Sequence, residues 1–160
     1  MKLAHYIGDH AADTTLVRLG WRLTRLAQKG PYGIVTHVEA IHEEHADGSV
    51  SIASASLRDK GVRPKKVTLD PDHWWVVDVP LWDVQRSIDF LDLTIGLPYD
   101  YRGALATMLP GSQDSARWFC NEWVAAPFIK APGSFSPSQF AAITLSLGTD
   151  VTREFFASRA

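Results

Sequence analysis

The sequence predicts an α+β fold: an antiparallel central sheet packed against helices. Three observations lead there. Apolar residues recur at helical spacing near both ends of the chain, β-branched runs of period two fill the middle, and a polar tip separates two of those runs as a hairpin does. The 160 residues form a single domain, 1–160, with no internal repeat and no stretch that reads as a linker. A hydrophobic fraction of 46% against 21% charged residues excludes a disordered chain.

Taken in order, a strand is expected around residues 3–7. Residues 14–28 then place Leu16, Leu19, Leu23, Leu26 and Ala27 on one face of a helix. Asp13 or Thr14 caps its start and Gly30-Pro31 stops it. Residues 33–41 and 49–56 read as two strands joined across HEEHADG, with the turn near 45–48. Further strands are expected between 62 and 69 and at 73–79, the latter closed by Pro80. A helix follows at 83–95 with Val84, Ile88, Leu91 and Ile95 as its buried stripe, ended by Gly96 and Pro98. Residues 120–126 form a short helix stopped near Pro127. Ser136-Pro137-Ser138-Gln139 carries a capping signature for a last helix running to about Leu147.

Composition narrows the function classes. Sixteen Lys and Arg against 18 Asp and Glu leave a net charge of −2, without the basic excess of a nucleic-acid binder. No apolar run approaches the ~20 residues of a membrane-spanning helix. MKLAHYIGDHAAD lacks the apolar stretch and cleavage site of a secretory signal, so a cytoplasmic or non-classically exported protein is expected. A single cysteine, Cys120, removes intramolecular disulfides and multi-thiolate zinc sites.

That thiol is the first candidate for chemistry. If a helix begins at Cys120, the sulfur lies beside unpaired backbone N–H groups, which favour the nucleophilic thiolate. A lone cysteine is more often a small buried hydrophobe, and spacing alone does not overturn that default. His37 is the partner to test. On an alternating strand Val35, His37, Glu39 and Ile41 share a face, and a mid-strand histidine packed near a helix start can exchange a proton with a thiol there.

THVEAI, GLPYDYRG and WFCNEWVA, in that order, resemble the circularly permuted branch of the NlpC-type papain-like cysteine hydrolases, over roughly residues 34–126. The resemblance implies a permuted papain-like fold, with a central sheet or small barrel against helices. It also implies Cys120 as nucleophile, His37 as general base and acid, and Tyr99 as a hydroxyl that helps hold the oxyanion. No cofactor and no metal are implied. Asn121 departs from the family's usual serine, and Glu122 matches the acid that follows it. The residue orienting the imidazole normally comes from the next strand, which offers Ser54 and Ser56; Ser54 ranks ahead of Glu39, whose Cα sits ~7 Å from that of His37 along the same strand. The implied substrate is a small peptide or an acyl amide or ester, such as a cell-wall peptide, attacked to give a thioester.

Two other classes compete. HVEAIHEEH gathers His37, His42 and His45 with Glu39, Glu43 and Glu44, yet lacks the spacing of a zinc peptidase and falls largely at a polar turn. A scaffold without turnover is the other, its tryptophans lining a binding groove; a thiol-dependent acyltransferase is a variant within the enzyme class.

Overall fold

The computed structural model of the chain describes residues 1–8, 18, 22, 32–106, 116–130 and 135–159. Six strands form one sheet: β1 (Lys2–Tyr6), β2 (His37–Glu44), β3 (Val50–Ser56), β4 (Gly61–Val67), β5 (Trp74–Asp78) and β6 (Thr149–Asp150). Their order is β4-β3-β2-β1-β5-β6, and each pairing between them is antiparallel. The sheet is open, with β4 and β6 at its edges, which corrects the small-barrel alternative. A two-residue β6 offers too few ladder bonds to close a ring. The helices are α1 (Val84–Thr94), α2 (Tyr101–Ala106), α3 (Cys120–Ala125), α4 (Pro137–Leu147) and α5 (Thr152–Ala157). No helix among the described residues is long and apolar enough to cross a membrane. The helix expected over 14–28 lies outside the described residues, except for Arg18 and Arg22, which are helical and exposed.

Residues opposite one another on an antiparallel ladder share a face. Leu3, Val38, Ala40, Ala53, Ala55, Val62 and Val77 therefore form one apolar face, covered by Trp123 and Val124 of α3, Phe140 of α4 and Leu91 of α1. The small alanines let α3 lie close on β2 and β3. Ala4, Ile41, Ile52 and Val76 face the other way, under Phe155 of α5. With β2 covered on both faces, burial extends without a break from His37 to Ile41.

Local chemistry accounts for most boundaries. β2 continues through residues assigned from sequence to the hairpin tip, because a bulge between Ile41 and Glu43 absorbs one extra residue. The turn itself is tight: His45 N–H donates to the Ser49 carbonyl at 2.9 Å, and Gly48 takes φ +80°. Pro64 is tolerated in β4 because that strand is an edge. Asp83 caps α1 by accepting from Arg86 N–H at 2.8 Å. Ser136 and Gln139 form the expected capping box on α4, at 3.3 and 2.9 Å.

The buried stripe of α1 differs from the expected one. Ser87, Leu91 and Thr94 are its buried residues, whereas Ile95 is 55% exposed. The helix ends at Thr94, so Ile95 leaves the helical screw just before Gly96 at φ +80°. The two polar residues are satisfied across the interface: Ser87 Oγ lies 2.9 Å from His42 Nε2, and Thr94 Oγ1 accepts from Trp123 Nε1–H at 2.8 Å.

Candidate functional site

Cys120 is the first residue of α3, whose six residues are all buried. Phe119 before it is extended, at φ −111° and ψ 169°, and Glu122 Oε2 reaches back to accept from the Phe119 N–H at 3.4 Å. The backbone N–H of Cys120 is one of the helix-start donors that no helical carbonyl satisfies. The thiol itself is 4% exposed and donates to Asn121 Oδ1 at 3.6 Å. Asn121 is also an anchor, its Nδ2–H donating to the Phe135 carbonyl at 2.6 Å just ahead of α4.

His37 opens β2 and shares a hydrogen bond with the Cys120 thiol. Its Nε2–H donates to Glu39 Oε1 at 2.9 Å. The ~7 Å between alternate Cα atoms on one strand is bridged because both side chains lean along it. The hydroxyl of Ser54, ranked ahead of Glu39 from the sequence, donates to the neighbouring Ala55 carbonyl at 3.4 Å. Ser54 pairs with Arg63 on β4, and Arg63 reaches past it to Glu39. Nη1 of Arg63 donates to Glu39 Oε2 at 2.9 Å and Nη2 to Oε1 at 2.7 Å. Arg63 and Lys65 both also donate to Asp59 Oδ2. No feature of the sequence singled out Arg63, since β4 was expected only loosely and its register could not be read.

The electrostatics follow from these contacts. Burial opposes a charge on His37, but the Glu39 carboxylate, then the Cys120 sulfur, raise its pKa to about 9. Burial likewise opposes ionisation of Glu39, and the Arg63 hydrogen bonds with the nearby His37 charge hold it at about 2. Carboxylate and imidazolium therefore coexist at neutral pH in a buried setting. Glu122 behaves oppositely: burial, with Asp100 adding to it against the Phe119 N–H, pushes it up to about 7.

Tyr99 arrives from the loop after α1. Its N–H donates to the Lys60 carbonyl at 2.9 Å, and it forms a parallel bridge with Trp118, two residues before the cysteine. Gly61 makes this approach possible, because a Cβ there would stand 2.2 Å from the Leu97 carbonyl oxygen. Burial first, then the Cys120 sulfur, hold the Tyr99 phenol well above its ordinary pKa. It stays a proton donor at working pH.

A small cleft of about 50 Å³ opens onto His37 and Glu39 between Tyr6, Trp74, Ser56 and Arg58. It has room for a few waters or one small polar group. The tryptophans proposed as a groove divide: Trp123 is fully buried and Trp82 stacks on Phe128 at 4.5 Å, so these two are core, while Trp74 alone lines this cleft. Among the described residues no group of three or more His, Cys, Asp or Glu side chains could hold a metal ion. Within HVEAIHEEH, His45 is held by Ser51 Oγ at 2.8 Å, as His42 is by Ser87.

No family model matches the chain, and no curated protein or solved structure matches it significantly, so the geometry of these residues carries the functional argument.

Proposed function

We propose that the protein is a cysteine-dependent hydrolase, an amidase or peptidase of the permuted papain-like kind, acting on small peptides or acyl amides and esters. One observation carries the reading: His37 bridges the Cys120 thiol and the Glu39 carboxylate. With Nε2 held by Glu39, Nδ1 is the ring nitrogen offered to the sulfur. In the reactive form the proton shared by the pair rests on His37 as the imidazolium, and the Cys120 thiolate attacks a carbonyl carbon. The oxyanion develops against the Cys120 N–H and the Tyr99 hydroxyl. The imidazolium then protonates the leaving amine or alkoxide, leaving a thioester on Cys120. Water, deprotonated by His37, hydrolyses the thioester and restores the thiol.

A non-catalytic reading rests on one observation, the 4% exposure of Cys120. Turnover needs the sulfur reachable by a carbonyl; an inert scaffold does not. Incubation with a panel of activated acyl esters and peptide amides, followed by mass spectrometry of the intact protein, separates the two. An acyl adduct on Cys120 that is absent from Cys120→Ala is the expected result. No adduct from any acyl donor, with the thiol unlabelled until the protein unfolds, contradicts the hydrolase. Decay of the adduct to free acid rather than to an amine- or lipid-bound product distinguishes hydrolysis from acyl transfer.

A further inference from the structure

We propose that Arg63 is a positioning residue: by gripping both oxygens of Glu39 it fixes the carboxylate that fixes the His37 ring. This rests on the hydrolase reading for its purpose, though not for its geometry. The fork of two parallel bonds, at 2.9 and 2.7 Å, leaves Glu39 one orientation, with Oε1 shared between the guanidinium and the imidazole. The guanidinium is itself anchored, Nε–H donating to Asp59 Oδ2, which Lys65 also engages. A chain of contacts thus runs from the turn before β4 through the sheet edge to the thiol: Asp59, Arg63, Glu39, His37, Cys120. Among the described residues no other group holds Glu39 Oε2, and Glu39 is 2% exposed, so without Arg63 the carboxylate would be buried with one oxygen unsatisfied.

Other charged groups around the pair come from several elements. Arg58, Asp59, Arg63 and Lys65 stand on the cleft side. His42 of β2 feels Glu39, while His5 of β1, kept neutral by burial, and Cys120 with Tyr99 lie toward His37 and the helices. Of these, Arg63 makes the contacts that favour the ionised Glu39 most strongly.

The alternative is that Arg63 merely satisfies a buried carboxylate and contributes to stability. Carboxyl ¹³C NMR titration of Glu39, assigned through Glu39→Gln, is read in the wild type, Arg63→Met and Arg63→Lys, alongside the pH profile of Cys120 alkylation. Loss of the guanidinium in Arg63→Met should raise the Glu39 midpoint by about one pH unit or more, and the acid limb of alkylation should move up with it. Arg63→Lys keeps a charge without the fork, so its midpoint should rise by a smaller but measurable amount. It also decides the matter if Arg63→Met does not fold. An unchanged Glu39 midpoint in a folded variant overturns the inference, and so does a shifted midpoint with an unchanged Cys120 alkylation profile, which leaves Arg63 only a partner of a buried carboxylate. If the midpoint moves while wild-type Cys120 never reacts, the clamp stands and the hydrolase reading falls; if Cys120 reacts normally and the midpoint stays, only the clamp falls.

Discussion

At the scale of single residues, the site is a buried thiol–imidazole–carboxylate series in which each member sets the charge of the next. Glu39→Gln tests this directly. The carboxylate is the first influence that raises His37 against burial, so the imidazole should titrate well below about 9 in the variant, as followed by NMR of the ring. Turnover should fall with it, because Nε2 loses a charged acceptor. Tyr99→Phe asks a different question. An oxyanion donor is worth ~3–4 kcal/mol, so the variant should lose about 10²-fold or more in kcat while its binding of substrate changes little. An unchanged kcat would remove the phenol from the mechanism. Cys120→Ala should abolish acylation altogether.

At the scale of elements, the site depends on three segments being held in register: β2 for His37 and Glu39, α3 for Cys120, and the strip from Leu97 to Tyr99 pinned between β4 and Trp118. Gly61→Ala should force that strip off β4, since the new Cβ meets backbone rather than a movable side chain. A destabilisation of ~1–3 kcal/mol by urea unfolding is expected, with loss of activity beyond what the remaining folded fraction explains. Ser136→Ala removes a cap from α4, far less intimate with the site, and should cost ~1 kcal/mol in stability with activity retained. The same elements show what could be read in advance. Capping at Ser136 and the Val50–Ser56 alternation are local signals, and they marked α4 and β3 correctly. Whether Ser54 or Glu39 meets His37 depends on side-chain reach and on where Arg63 lands across two strands, which no local pattern encodes. β6 and α5 went unread because their short sequences acquire structure against β5, and α2 because a six-residue helix is too short to show a period. Ile95 was misassigned because periodicity does not show where a helix stops.

At the scale of the whole molecule, the buried charges tie stability to pH. His37 is raised from an ordinary value of 6.5 to about 9, so its contribution is full below 6.5 and lost as pH rises through about 9. Glu39 is lowered from 4.5 to about 2, so its contribution is present above 4.5 and lost as pH falls toward about 2. Glu122, raised to about 7, adds a cost that grows as pH rises from 4.5 to 7. His5 opposes at acid pH: burial, then the His37 charge, lower it to about 3, so only the unfolded chain takes up its proton just below 6.5. Unfolding free energy should therefore decline between pH 6.5 and 9, with His37 supplying up to roughly 3 kcal/mol. Urea titrations at the two ends of that range check it, and His37→Ala should flatten most of the decline.

The rate at which iodoacetamide modifies Cys120, followed from acid to alkaline pH in the wild type and His37→Ala, is the most direct test of the thiol–imidazole pair. The wild type should react appreciably below neutral pH, and His37→Ala should react more slowly there, with its profile displaced to more alkaline pH. Identical profiles in the two proteins, or a thiol that reacts only after unfolding, would contradict the account.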